Sequence, residues 1–260
     1  MRCPPASPGG FVFSLTYLRY DSKMIFTFLK VAAVLLVIFV VYHLVRFQSL
    51  INTGVALSDA AIAFERPRAG AKMRILVMGD STAVGTGVVD PNDSTAGRLG
   101  AYYPDAELVN LGVNGLRVAG LAQKIKNIEG KFDLVLIQIG GNDITHRTDI
   151  ADVERDLRTV LAKAKTLAPK VLLLHTGNLG AAPIWPPLLG PYMVHRTMMI
   201  RDLYLRVAPE LGVTYVDLYG AGVDAIFAKD LVHYYATDSF HLSGAGYGVW
   251  FDVIKKSLAN

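Results

Sequence analysis

The sequence has almost no cysteine, because Cys3 is the only one among 260 residues. A single cysteine excludes an intrachain disulfide scaffold, and it also excludes the CxxC and Cys/His frameworks of structural zinc sites. Phosphate-binding signatures are missing as well, since the glycines after residue 79 fit neither the GxxxxGK[ST] loop nor the GxGxxG fingerprint. Disulfide-rich, zinc-ribbon, P-loop and dinucleotide-binding proteins are therefore excluded.

Basic residues are scarce outside the N-terminal part of the chain. Residues 1–74 contain 9 Lys and Arg against 3 Asp and Glu, whereas residues 75–260 contain 17 against 19. The formal net charge of +4 thus belongs to the N-terminal segment, and the remainder shows no basic stripe with interleaved aromatic residues. We expect no nucleic-acid partner.

Apolar residues are abundant at 52%, and one run of them is long enough to span a membrane. The run extends from Met24 to Phe47 and contains one early charge, Lys30, which can snorkel to the interface. A retained membrane anchor is the favoured interpretation. The alternatives are a cleaved signal peptide with residues 31–45 as its apolar region, or the buried helix of a soluble protein. The best small-residue cleavage site, residues 54–56, lies far downstream, which favours the anchor.

The composition divides the chain into four segments. We predict an N-terminal extension over residues 1–23, with Met24 as an alternative start, an anchor over 24–47, a connector over 48–72 and a folded domain over 73–260. Basic residues flank the apolar run on both sides, so the positive-inside rule does not orient it. Because the run comes first, we expect the domain on the extracytoplasmic side, or secreted if the signal is cleaved. The oligomeric state is not indicated.

From residue 73 onward, short apolar strands alternate with amphipathic helices. A helical stripe over residues 150–167 is followed by Pro169, which ends that helix. Continuous apolar strands of this kind indicate a parallel sheet that is covered on both faces, with functional sites beyond the carboxyl ends of the strands. The predicted strands lie in RILVMG, AELVNLG, FDLVLIQIG, KVLLLHTG and VTYVDLYG.

The stretch ILVMGDSTAVGTG leads from the first strand into Asp80 and Ser81. Two interpretations are open for this turn. Asp80 or Ser81 can cap the following helix, as Ser and Asp commonly do. Alternatively, Ser81 is a nucleophile that is exposed at the end of the strand, and Gly79 relieves crowding in the turn.

A serine nucleophile needs a base and a carboxylate that orients the base. His241 is the best candidate base because Asp238 precedes it by three residues, a spacing at which one tight turn joins the two side chains. A helix-capping Asp followed by a surface histidine is the structural alternative. The remaining histidines are interpreted as structural or loop residues; they are His43, His146, His175, His195 and His233.

Stabilisation of a carbonyl oxyanion needs fixed hydrogen-bond donors, and two further strand ends offer them. LVNLGVNG presents Gly112 and Gly115 after the second strand, and IQIGGND presents Asn142 behind two glycines after the third. Each segment alone is also an ordinary glycine turn. The location of all candidates at strand ends or before the last helix favours a common site.

Four sequence blocks in this order resemble the GDSL/SGNH hydrolase family: G-D-S at 79–81, a glycine block at 110–115, G-x-N-D at 140–143 and D-x-x-H at 238–241. The resemblance implies a three-layer α/β/α sandwich, flavodoxin-like, with no metal or cofactor. It also implies a catalytic triad of Ser81, His241 and Asp238. The implied oxyanion hole comprises the Ser81 and Gly115 N–H groups and the Asn142 side chain, with Gly112 as a rival to Gly115. Asp143 resembles the family's structural Asp, and Thr82 stands where the family name has Leu.

The resemblance predicts a serine esterase or lipase-like enzyme that hydrolyses carboxylic esters through an acyl-enzyme. Its substrate is expected to be a small-molecule, lipid or glycan ester. Two alternatives stay open within the enzyme class: an O-acetyl esterase, or an acyltransferase, acting on envelope glycan or lipid. A noncatalytic binding module on the same fold is the third alternative. The proline-rich segment GNLGAAPIWPPLLGPYM after the fourth strand is a candidate wall of the acyl pocket.

Overall fold

The computed structural model describes residues 22–259, so the predicted extension over residues 1–23 lies almost entirely outside the described part. The chain divides into two compact units, of which the first ends at His43 and the second begins at Leu44. The second unit contains the sheet and all of the candidate site residues. It can therefore be described by itself.

Helix α1, Ser22–Ala60, is the longest helix of the described residues. Its apolar part is a candidate membrane span by length and composition. The large apolar side chains between Met24 and Val45 are exposed, and no apolar stripe is distinguished from a polar face there. The helix continues beyond residue 47 to Ala60, into the sequence segment that precedes the first strand.

Five parallel strands form the central sheet, as the alternating pattern predicts. Their order is β2-β1-β3-β4-β5, which is the flavodoxin-like order of doubly wound folds. All four pairings are parallel, with Ile75 opposite both Leu108 and Leu134. The strands are β1 Arg74–Gly79, β2 Glu107–Asn110, β3 Leu134–Gln138, β4 Lys170–Leu174 and β5 Thr214–Val216.

Helices cover both faces of this sheet, which explains why the inner strands β1, β3 and β4 are apolar along nearly their whole length. Leu76 and Met78 of β1 belong to one buried cluster, whereas Ile75 and Val77 belong to the other, because successive side chains of a strand point to opposite faces. The first cluster is covered by α4, Val118–Lys124, α6, Ile150–Leu167, and α7, Leu189–Glu210. The second is covered chiefly by α2, Ser81–Val84, α3, Thr95–Tyr102, α8, Val223–Phe227, and α10, Gly244–Leu258. The three-layer α/β/α sandwich is confirmed.

Two short helices complete the elements that bear on the site. Helix α5, Gly141–Thr145, follows β3 directly, and α9, Leu231–Tyr234, precedes the Asp238–His241 segment. Parallel strands end at the same edge of the sheet, so the turns after β1, β2 and β3 meet there. This edge carries the candidate site.

Candidate active site

Gly79 ends β1 at a point where only glycine fits. Its φ is +144°, and a Cβ atom placed there would lie 1.8 Å from the Gln138 carbonyl oxygen of the neighbouring strand. The next residue, Asp80, donates its N–H to the same carbonyl oxygen at 2.9 Å. The first residue of the G-D-S block therefore allows the chain to turn tightly against β3 and to present Ser81 beyond the sheet.

Asp80 is the N-cap of α2, and Ser81 is the first residue of that helix. The Asp80 Oδ1 atom accepts hydrogen bonds from the Thr82 N–H at 2.9 Å and from the Thr82 hydroxyl at 2.8 Å. Asp80 caps the helix, and Ser81 presents its hydroxyl from the same turn, so the two interpretations of the sequence do not compete.

Ser81, His241 and Asp238 form one hydrogen-bonded row. The distance from Ser81 Oγ to His241 Nε2 is 3.1 Å, and that from His241 Nδ1 to Asp238 Oδ2 is 2.6 Å. Because an ionised carboxylate only accepts hydrogen bonds, Nδ1 is the donor and Nε2 of the neutral ring faces the serine hydroxyl as an acceptor. Ser81 is 8% exposed and Asp238 is fully buried, so the row has one accessible end.

The turn from Asp238 to His241 holds the carboxylate firmly. Asp238 Oδ1 accepts from the backbone N–H groups of Phe240 and His241, both at 3.0 Å. Burial would raise the pKa of Asp238, but the hydrogen bonds and the charge of His241, together with the two N–H donors, bring the pKa below its usual value. Ser239 has a φ of +59°, which is uncommon for a residue other than glycine and lets the turn close within four residues.

Gly115 and Gly112 occupy very different environments. The Gly112 N–H donates to Asn110 Oδ1 at 3.0 Å, and a Cβ at Gly112 would lie 2.8 Å from the Val84 backbone nitrogen. Gly115 lines the cavity in front of Ser81, and its N–H has no acceptor among residues 22–259. Of the two glycines, only Gly115 has a backbone donor that is free to bind a ligand in the cavity.

Asn142 also lines the cavity, from the first turn of α5. Its side-chain nitrogen donates one hydrogen bond to the Leu116 carbonyl oxygen at 3.1 Å, which orients the amide and leaves its second N–H available. The neighbouring Asp143 is buried and accepts from the Val118 N–H at 3.0 Å. Asp143 therefore joins α4 to α5 rather than facing the cavity.

Asp80 is the most perturbed carboxyl group near Ser81. Burial raises its pKa to about 6, against the opposing effect of the two hydrogen bonds from Thr82. The second carboxyl oxygen, Oδ2, is buried without a hydrogen-bond partner among the described residues. This group is therefore a buried acid that is ionised only above about pH 6.

A cavity of about 870 Å³ opens in front of Ser81, near the upper end of the size range of small-molecule sites. All of the predicted site residues line it. The proline-rich segment after β4 contributes an apolar wall, in which the Trp185 ring donates its Nε1–H to the Leu179 carbonyl oxygen at 2.7 Å. Apolar residues of this wall are Leu179, Ile184, Trp185, Leu189 and Met193.

The last turns of α1 form a second apolar wall, which the sequence reasoning missed. Residues from Phe47 to Ser58 line the cavity although they precede the first strand. Their helical spacing in FQSLINTGVALS is the signal that could have identified them, but the adjoining apolar run hides this stripe. Among the histidines set aside, His146 also lines the cavity, and its Nδ1 lies 2.8 Å from the Asn142 carbonyl oxygen.

No three His, Cys, Asp or Glu side chains within residues 22–259 are grouped as metal ligands. What the cavity does offer is a serine with a base, a buried carboxylate and unpaired N–H donors beside apolar walls. Such a constellation can activate a hydroxyl and receive a negatively charged oxygen.

The family model of the GDSL-like Lipase/Acylhydrolase family matches residues 77–249. Among solved structures, TesA is 24% identical, with 71% of this chain and 97% of that chain covered and a TM-score of 0.58. A member of the lipolytic protein G-D-S-L family from Veillonella parvula DSM 2008 is 18% identical, covers 71% and 97%, and has a TM-score of 0.55. Axe2, an acetylxylan esterase from Geobacillus stearothermophilus, is 22% identical, covers 73% and 95%, and has a TM-score of 0.52. At these identities the structures establish the fold, and no curated protein matches the chain.

Proposed function

The chain belongs to the GDSL-like lipase/acylhydrolase family and is a serine hydrolase that acts on ester bonds, and on this premise we propose that Ser81 is the nucleophile of a two-step acyl transfer. The observation that carries the proposal is the hydrogen-bonded row from Ser81 Oγ through His241 to Asp238. Each atom of the row has the donor or acceptor role that the chemistry requires.

In the first step, His241 Nε2 takes the hydroxyl proton while Ser81 Oγ attacks the ester carbonyl carbon. Asp238 keeps the Nδ1 proton in place and stabilises the imidazolium that forms, and its low pKa keeps it ionised at neutral pH. The carbonyl oxygen of the ester becomes an oxyanion. His241 then donates the proton to the leaving alcohol oxygen, which leaves an acyl group on Ser81.

The oxyanion is stabilised by the N–H groups of Ser81 and Gly115 and by the Asn142 side chain. Ser81 lies at the first position of α2, where a backbone N–H has no partner within the helix. The Gly115 N–H is likewise free, and the Asn142 amide is oriented by Leu116. Donors held in place before the reaction stabilise the developing charge without reorganisation.

In the second step, water replaces the alcohol. His241 takes a proton from the water, the resulting hydroxide attacks the acyl carbon, and Ser81 Oγ leaves with the proton that His241 returns. The products are a carboxylic acid and the free enzyme.

We also propose that α1 anchors the enzyme in a membrane, with the catalytic unit on the extracytoplasmic side. The proposal is supported by the length and apolar composition of α1 and by the exposure of its apolar side chains on all sides.

A fluorophosphonate probe tests the assignment of Ser81. The wild-type protein is expected to be labelled covalently, and Ser81→Ala is expected to lose all labelling. Ser257→Ala, which changes a serine in the last turn of α10, is the matched control and is expected to label like the wild type. Absence of labelling in folded wild-type protein would contradict the proposal and favour a noncatalytic binding module, as would a Ser81→Ala variant that still labels.

A further inference from the structure

The last four turns of α1 present one helical face to the cavity. The half-buried residues of this part recur every three or four positions, which is the period of a helix that packs along one side. The members of this face that line the cavity are Phe47, Leu50, Ile51, Gly54, Val55 and Ser58, which we call the α1 wall.

Hydrogen bonds fix this part of α1 at both of its ends. At the first, the Arg46 guanidinium donates to the Pro183 carbonyl oxygen at 2.9 Å. At the other, the Asn114 side chain donates to the Ser58 carbonyl oxygen at 2.7 Å. Pro183 belongs to the proline-rich wall, and Asn114 precedes the free N–H of Gly115. The helix therefore bridges the apolar wall and the oxyanion side of the cavity.

Between these two ends, α1 passes directly against the hydrogen-bonded row. A Cβ atom at Gly54 would lie 2.9 Å from Asp238 Oδ2, closer than real Cβ contacts allow. The Asp238 side chain is held in place, because its carboxylate oxygens accept hydrogen bonds from two backbone N–H groups and from His241. The absence of a side chain at Gly54 is what lets the helix backbone approach the site so closely.

Two apolar side chains of the α1 wall are left uncovered. Ile51 is 37% exposed and Val55 is 56% exposed, although both line the cavity. The apolar proline-rich wall adjoins the α1 wall, with Trp185 near Phe47 at a ring-centroid distance of 6.0 Å. An apolar ligand is favoured at these side chains, because covering them removes apolar surface from water. Ile51 and Val55 lie one helical turn apart, so a ligand that covers both must be longer than an acetyl group.

From this placement we infer that the α1 wall binds the acyl chain of the substrate, and that Ile51 and Val55 determine which acyl length is preferred. The substrate class is an ester of a carboxylic acid with an extended alkyl chain. This inference rests on the proposed function, since it requires that Ser81 attacks the carbonyl carbon at the end of that chain.

The test compares two tryptophan substitutions on adjacent positions of α1 in the full-length protein, solubilised in detergent. Val55→Trp places a large side chain inside the cavity, whereas Ala56→Trp places the same side chain on an exposed position that does not line it. Hydrolysis of p-nitrophenyl acetate and p-nitrophenyl dodecanoate is measured for both variants and for the wild type. The quantity compared is the ratio of the two kcat/KM values, dodecanoate over acetate.

We expect Val55→Trp to lower this ratio about tenfold or more, which is the size of effect that a few methylene contacts have on specificity. Ala56→Trp is expected to keep the wild-type ratio. Equal ratios in all three proteins would overturn the inference and leave the proposed function standing, provided that hydrolysis disappears in Ser81→Ala. If no ester is hydrolysed in a Ser81-dependent way, the proposed function fails and the inference fails with it.

Discussion

The carboxyl edge of the sheet and the α1 wall face the same cavity, but they are built in opposite ways. The edge presents polar side chains that are buried and hydrogen-bonded, such as Asp238, which accepts from three donors. The wall presents apolar side chains that are partly exposed, such as Val55. Substitution next to a buried polar group lowers the stability of the fold, because the loss of a hydrogen-bond partner leaves the group unsatisfied. Replacement of an exposed apolar side chain changes the stability little.

In the proposed mechanism and the inferred acyl-binding site, this difference separates two tasks of the cavity. Groups at the edge of the sheet act on atoms that change their charge during the reaction, so they affect every ester to the same extent. Groups of the wall meet the part of the substrate that does not react, so they affect only the choice among esters. Substitutions in the two regions are therefore expected to produce different kinetic patterns.

Removal of the Asn142 amide is expected to have the largest effect. Asn142→Ala should lower kcat by about 10²- to 10³-fold with little change in KM, because the donor is needed when charge develops on the oxygen. The measurement is the steady-state hydrolysis of both p-nitrophenyl acetate and p-nitrophenyl dodecanoate. Full activity of the variant, or a loss confined to the longer ester, would contradict the assignment of Asn142 to the oxyanion hole.

The buried carboxyl group of Asp80 is expected to make stability depend on pH. Its pKa is about 6 in the folded protein and near 3.9 when unfolded, so the folded state holds the proton more tightly. The contribution of the Asp80 carboxyl group to the free energy of unfolding is thus fully present below about pH 4 and is lost as the pH rises through 6. Asp80→Asn keeps an acceptor for Thr82 but cannot ionise. Its free energy of unfolding relative to wild type should therefore increase by about 2 kcal/mol between pH 4.5 and 8.

Urea denaturation of the unit that begins at Leu44, at these two pH values, measures this difference. Asp238→Asn supplies a contrast of opposite sign. The pKa of Asp238 is lowered in the folded state, so its stabilisation is present above the unfolded pKa and is lost as the pH falls through the folded pKa. A pH-independent difference between Asp80→Asn and wild type would refute the assigned state of Asp80.

Substitution of Gly54 is expected to have the smallest effect of the three, because it displaces α1 without removing any hydrogen-bonding group of the row. Gly54→Val places a branched side chain where even a single Cβ atom would lie 2.9 Å from Asp238 Oδ2, so α1 must move away from the site. We expect a change of about threefold in the dodecanoate-to-acetate ratio of kcat/KM, since the wall contacts shift by less than a full side chain. Ala56→Val, on the exposed face, is the matched control. An identical ratio in both variants would show that the position of α1 does not influence acyl preference.

Much of the fold and the candidate site was predictable from the sequence. The five apolar runs became the five strands, and in the inner strands the apolar pattern is continuous because a sheet that is covered on both faces buries the side chains on both sides of these strands. The candidate residues followed from their position after strands, since parallel strands end at one edge. Asn142 and His241 are 99 residues apart in the sequence and still line one cavity for this reason.

Other features could not be predicted from local patterns. The family resemblance favours Gly115 over Gly112, but only the hydrogen bond from Gly112 to Asn110 shows which N–H remains free. The α1 wall was hidden because the apolar run up to Phe47 obscures the stripe that follows it. The α1 wall also depends on its contact with the proline-rich wall, and Trp185 is far from Phe47 in the sequence.

The sequence by itself determined the order and type of the elements, the strand ends that carry the chemistry and the family, because these depend on the period of apolar residues and on motifs within a few positions. Only the tertiary structure decided which glycine N–H is free, that Asp80 is a buried acid, and that α1 closes one side of the cavity. These properties depend on which atoms from distant segments come within hydrogen-bonding or van der Waals distance. The spacing of apolar residues along the chain does not determine such distances.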